Sequence, residues 1–97
     1  MRVIARKRLV EFSNAHPEAK KGLEAWYREA KAANWASSAD IKAHYRSAGI
    51  INSRRVVFNI CGNKFRLVAD VNYLARITYI LFIGTHKEYD RIDVESL

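Results

Sequence analysis

Two runs of strictly alternating character flank a Gly62-Asn63 pair in the second half of the chain. Val56, Phe58 and Ile60 alternate with Val57 and Asn59 on one side, and Phe65, Leu67 and Ala69 alternate with Arg66 and Val68 on the other. This is the pattern of a β-hairpin closed by a two-residue loop. Such a loop admits one register. It pairs Ile60 with Phe65, Phe58 with Leu67 and Val56 with Ala69 on an apolar face. The opposite face then carries Cys61 beside Lys64, Asn59 beside Arg66 and Val57 beside Val68. Slipping either strand by one residue would throw the apolar set outward, so the pattern demands an antiparallel sheet with one face packed on a core.

The rest of the chain supplies the cover for that face. Val3-Ile4-Ala5 reads as a short edge strand. From Lys7 the period becomes helical, with Leu9, Phe12, Ser13 and His16 at i, i+3, i+4 and i+7. Pro17 ends that helix and suits the first turn of the next. In the second helix Ala19, Leu23, Trp26, Tyr27, Ala30 and Ala33 mark one face, with Glu24 and Arg28 four apart in the favourable order. Gly22 weakens this helix by roughly 1 kcal/mol relative to alanine. Trp26, Tyr27 and Trp35 sit at core spacing and read as packing residues. Ser37-Ser38-Ala39-Asp40 reads as the start of a short helix running to about Tyr45, and residues 46 to 53 as loop. A third strand, from about Arg76 to Ile83, is apolar on both faces and belongs in the middle of the sheet. The expected fold is α+β: one domain spanning residues 1–97, a small antiparallel meander with N-terminal helices on one face and a short C-terminal helix.

Charge narrows the function. Seventeen Lys and Arg against ten acids leave a formal charge of +7, a balance that favours polyanions, nucleic acid first among them. Between Ile50 and Lys87 the basic residues are Arg54, Arg55, Lys64, Arg66, Arg76 and Lys87, and Asp70 is the lone acid. After Lys87 the sign inverts through Glu88, Asp90, Asp93 and Glu95. That acidic tail either aids solubility, shields the site or meets a basic partner. The single cysteine, Cys61, excludes an internal disulfide, and no Cys/His spacing suits zinc. Neither a signal peptide nor a bilayer-spanning run is evident, so the expectation is a cytoplasmic protein with no membrane role.

The candidate chemistry lies at two places. The hairpin puts Arg66 opposite Asn59 with Lys64 one step along, on the face turned from the core. Two cations there can grip a phosphate and oppose the charge of a phosphorane-like transition state; the plainer alternative is a row of solvated strand residues. Thr85-His86-Lys87-Glu88 has the form of a capping box, with Thr85 as N-cap and Glu88 three residues on. His86 and Lys87 then occupy a first helical turn, where the helix's positive end favours neutral imidazole, and Tyr89 follows on the same side. His86 near neutrality can move protons. Together these residues suit attack of a ribose 2′-hydroxyl on its adjacent phosphate, with no metal or cofactor expected. Arg66, His86 and Tyr89 are the candidate catalytic residues. Lys64, Lys87, Asn59, Arg54 and Arg55 are the candidate RNA- or phosphate-binding ones. His16 and His44 stand alone on helices and read as structural.

The string Arg55-Val56-Val57-Phe58-Asn59-Ile60-Cys61-Gly62-Asn63-Lys64-Phe65-Arg66-Leu67-Val68, the block Ile83-Gly84-Thr85-His86-Lys87-Glu88-Tyr89-Asp90 and, upstream, Ala39-Asp40-Ile41-Lys42 together resemble the HigB family of type II toxin–antitoxin toxins, within the wider RelE-like group. The resemblance covers nearly the whole chain. It implies a RelE-type fold and mRNA interferase activity, often on the ribosome. It also implies neutralisation by a HigA-type helix-turn-helix antitoxin, whose complex with the toxin binds operator DNA. Arg66, His86 and Tyr89 fall within the matching blocks. The rival reading is a non-catalytic basic module that docks on RNA or protein. A DNA-binding regulator is disfavoured because no recognition helix with exposed basic and amide residues is evident.

Overall fold

A computed structural model describes all 97 residues. The chain runs β1 (Arg2–Ile4), α1 (Arg6–Ala15), a 3-10 turn (Pro17–Ala19), α2 (Lys20–Ala32), α3 (Ser38–His44), β2 (Gly49–Ile50), β3 (Arg55–Ile60), β4 (Phe65–Asn72), β5 (Ile77–Thr85), α4 (His86–Tyr89) and a final 3-10 turn (Val94–Ser96). The sheet order is β1-β5-β4-β3-β2. The α+β architecture follows the expectation, with two additions. β1 lies parallel to β5, so the sheet is mixed. The stretch expected to be loop contributes the two-residue edge strand β2, paired antiparallel with β3.

The hairpin register is the one the alternation predicts: Ile60 faces Phe65, Phe58 faces Leu67 and Val56 faces Ala69, with Asn59 opposite Arg66. Its turn is longer than two residues. The ladder stops at Ile60 and Phe65, and the intervening four residues make the turn, with Cys61 (φ 54°) and Gly62 (φ 68°) both left-handed. Cys61 and Lys64 are joined by a long N–H···O contact of 3.4 Å rather than by the ladder.

One sheet face is covered by α1 and α2. Leu9 from α1 and Leu23, Trp26 and Ala30 from α2 meet Val56, Phe58, Ile60, Phe65, Leu67, Ala69, Val71 and Ile80 in a single buried cluster. Phe58 lies at its centre, edge-on to Trp26 at 5.2 Å and stacked on Trp35 at 5.9 Å. Gly22 has a packing reason to be there. A Cβ at that position would stand 2.7 Å from the Cys61 Sγ and 3.1 Å from Ile60, so its absence lets α2 press against the end of the hairpin. At the start of α3 the free amide of Ala36 is satisfied by the Asp40 carboxylate at 2.8 Å, while Ser37 makes no side-chain cap.

The opposite face was expected to be open, and it is not. The registers set three rows across it: Arg55–Asp70–Tyr79, Val57–Val68–Phe82 and Asn59–Arg66–Gly84. A bulge between Val68 and Ala69 lets β5 carry one extra residue, so Phe82 and Gly84 share the face of Val68 and Arg66. Val57 and Val68 are buried, at 4% and 0% exposure, although neither belongs to the helix-side core. The chain after β5 returns to this face. It leaves the sheet beside Arg66 as α4 and is pinned again where the Arg55 guanidinium donates to the carbonyls of Val94 (2.8 Å) and Glu95 (3.2 Å).

Candidate active site

The turn of the β3–β4 hairpin and the junction of β5 with α4 meet at one end of the sheet. Phe65 pairs with Thr85 and Arg66 with Gly84, and the His86 N–H donates to the Lys64 carbonyl at 3.2 Å. Residues twenty apart in sequence are thereby brought side by side. Gly84 makes the approach possible, because a Cβ there would lie 2.5 Å from the Phe82 ring and 3.2 Å from the Glu88 Cβ. A side chain at residue 84 would have to displace the Phe82 ring and would crowd Glu88 of α4.

The capping box is formed in both directions. The Glu88 N–H donates to Thr85 Oγ1 at 3.2 Å, and the Thr85 N–H donates to Glu88 Oε1 at 2.8 Å. The bond from the Thr85 backbone is the main reason the Glu88 carboxyl is held below its ordinary value; His16 and Arg91 reinforce it from nearby. His16, at the end of α1, stacks on Phe12 at 4.2 Å and meets the Phe65 ring edge at 6.0 Å. It thus forms part of the packing beneath the capping box rather than standing alone.

His86 projects from the first turn of α4 and is exposed, and its Nδ1 lies 3.2 Å from Asp90 Oδ2. A carboxylate accepting from Nδ1–H leaves Nε2 as the nitrogen that can take a proton from a substrate. The sequence signal for this partner is the i+4 spacing of Asp90 from His86, a spacing masked by the run of acids Glu88, Asp90, Asp93 and Glu95.

Arg66 is half-buried. Its Nη1 donates to the Asn63 carbonyl at 3.0 Å and reaches the Phe65 carbonyl at 3.4 Å, and its guanidinium carbon stands 5.9 Å from the centre of the Tyr89 ring. The turn and the aromatic ring hold the fork in place and leave other N–H groups for a ligand. Lys64 and Lys87 are exposed at the same end, and neither is among the residues in ion pairs. Asn59, beside Arg66 in the register, turns its amide to the Ser47 carbonyl at 3.3 Å and so ties down the loop before β2.

Arg54 and Arg55 are not brought to this cluster. They lie at the other end of β3, where Arg54 forks onto Asp70 with bonds of 2.8 and 3.2 Å and Arg55 holds the C-terminal segment. Arg54 stays at the surface with its fork on Asp70, while Arg55 is given to the C-terminal segment. The assembled group is therefore Lys64, Arg66, His86, Lys87, Tyr89 and Asp90: several cations, one oriented imidazole and one aromatic ring.

Comparison with known proteins places this arrangement. Residues 19–92 match the family model for the HigB toxin, described as a RelE-like toxic component of a toxin-antitoxin system. The chain is also similar to the mRNA interferase toxin HigB of Escherichia coli strain K12, and to the mRNA interferases HigB of Escherichia coli O157:H7 and Shigella flexneri. Each is 30% identical over 92 residues, covering 93% of this chain and 88% of the relative. The family match spans the second helix, the hairpin and the capping-box segment, so the chain belongs to the HigB family of RelE-like toxins of toxin–antitoxin systems.

Proposed function

We propose that this toxin is an endoribonuclease that cleaves mRNA at the end of the sheet where the strand carrying Arg66 adjoins the helix carrying His86. The observation that carries the reading is the His86–Asp90 pair (3.2 Å) on a helix anchored directly to the Lys64 carbonyl, next to the Arg66 fork. The reaction is attack of a ribose 2′-oxygen on its own phosphorus. The O–P bond forms, the bond to the 5′-oxygen of the next nucleotide breaks, and the products carry a 2′,3′-cyclic phosphate and a 5′-hydroxyl. His86 Nε2 takes the 2′-hydroxyl proton, the departing 5′-oxygen takes a proton from water, and the imidazolium then releases its proton to solvent. Arg66 and Lys64 hold the non-bridging oxygens, where a preorganised cation is worth most as charge builds. Tyr89 stacks on a base or orients the nucleotide, and Lys87 holds a neighbouring phosphate.

Membership of a toxin–antitoxin family implies an antitoxin partner. In this reading the antitoxin is a HigA-like helix-turn-helix protein, operator DNA is met only through the complex, and the toxin works in the cytoplasm on messages engaged by ribosomes. No helix is long and apolar enough to cross a membrane. The test is cleavage of an mRNA during translation, with the fragment ends mapped. Wild type leaves 2′,3′-cyclic ends, and His86→Ala and Arg66→Ala lose cleavage while remaining folded. Full cleavage by both variants would refute the proposal.

A further inference from the structure

The helical layer carries a second surface feature that the cleavage site does not use. On α1, Arg6, Leu9, Val10 and Ser13 fall at i, i+3, i+4 and i+7, and on α2, Lys20, Leu23, Glu24 and Tyr27 repeat the same spacing. The two stripes line a groove of about 400 Å³ between the helices. Its floor is apolar. Leu9 and Leu23 are buried beneath it, while Val10 remains 47% exposed, one of few large aliphatic side chains so open. Its rim is basic: Arg6, Lys20 and Arg28 against the single acid Glu24.

We propose that this groove docks an acidic amphipathic helix of the antitoxin. The reading rests on the chain being a toxin with a protein antitoxin. Two helices side by side present ridges and a furrow into which a third helix can lay its apolar stripe. The flanking cations match acidic residues on either side of that stripe and would set its direction. RNA fits the same groove poorly. The one aromatic ring in it, Tyr27, carries the Arg6 guanidinium at 4.8 Å and packs partly against the core, which leaves it poorly placed to stack a base. Glu24 also places a carboxylate where a phosphate chain would run. The groove's lining includes neither His86, Arg66 nor any residue of α4, so substitutions in it leave the cleavage residues in place.

The test uses the purified full-length toxin and the purified antitoxin that restores growth to cells expressing it. Val10→Glu and Arg28→Glu change exposed side chains outside the cleavage site, and circular dichroism checks that each variant is folded. Each is expected to weaken antitoxin binding at least tenfold, measured calorimetrically, while mRNA cleavage stays within twofold of wild type. Added salt should weaken binding less for Arg28→Glu than for wild type. Antitoxin affinity within twofold of wild type for both folded variants would overturn the proposal. So would a loss of RNA binding with antitoxin affinity intact, which would assign the groove to nucleic acid. Absence of cleavage by the wild-type toxin would instead count against the proposed function, leaving the binding comparison to be read by itself.

Discussion

Arg66→Ala removes the group on which the proposed chemistry most depends, and the structure lets its two consequences be separated. For stability, the side chain gives up one well-made bond to the Asn63 carbonyl at 3.0 Å and its position near the Tyr89 ring. The 3.4 Å contact with the Phe65 carbonyl is too long to count for much. A net hydrogen bond is worth about 1 kcal/mol and an exposed cation–π contact about 0.5–1 kcal/mol. The fold should therefore lose about 1.5–2 kcal/mol, which a stable domain tolerates. For cleavage, loss of one preorganised donor to a developing anion typically costs about 10²–10³ in rate, or roughly 3–4 kcal/mol. Arg66→Lys keeps the charge and loses the fork, so it should recover about a tenth or less of wild-type activity. The assay is single-turnover cleavage of an mRNA in a translation extract, alongside urea unfolding of each variant. The reasoning is refuted if Arg66→Ala cleaves within threefold of wild type. It is equally refuted if the lost activity returns in full when the variant is stabilised by cooling.

How much of this could be read in advance depended on whether each contact left a trace in residue identity. The hairpin did, because Val56, Phe58 and Ile60 face Ala69, Leu67 and Phe65 and only one register sorts them. The capping box did, because Thr85 and Glu88 are both required by type and spacing. The bulge in β5 left none. Ile80, Leu81, Phe82 and Ile83 are all apolar, so no alternation betrays the extra residue. The parallel pairing of β1 with β5 joins segments more than seventy residues apart through backbone bonds alone. The fastening of the C-terminal segment was hidden for a similar reason, since Arg55 grips carbonyl oxygens that every residue possesses. The Arg54–Asp70 pair did leave a trace: extending the hairpin register by one pair sets Arg55 against Asp70 and brings that acid within reach of its neighbour.

Other perturbations probe the remaining links. His86→Gln should lower cleavage by about 10²–10⁴ with almost no change in urea midpoint, because the exposed pair with Asp90 contributes little to stability; Asp90→Ala should cost cleavage less, and a larger loss in Asp90→Ala than in His86→Gln would contradict the assigned roles. Thr85→Ala should destabilise by about 1 kcal/mol. The lowered Glu88 carboxyl adds stability that is complete above the ordinary glutamate range and is lost as pH falls through its depressed value, so wild type should shed this cap in acid, and a Glu88→Gln variant should show a smaller acid loss in a pH series of unfolding curves. Gly22→Ala sets roughly 1 kcal/mol of helix propensity against about 1–3 kcal/mol of overpacking on the Cys61 Sγ, so alone it should be neutral to destabilising. In a Cys61→Gly background the same change should become stabilising, and strict additivity across the four proteins would rule out that contact as the cause.

The short helix that carries His86 buries none of its residues. It is held by the Lys64 carbonyl, the reciprocal Thr85–Glu88 bonds and the chain's return to Arg55, while the sheet beneath is locked by the sixteen-residue core. Elements anchored so lightly open at far lower free energy than the body of a domain. Warming should thus loosen the helix that carries His86 while the strand that carries Arg66 is still paired. The toxin would then have two thermal limits, a lower one at which cutting fades reversibly and a higher one at which the domain melts.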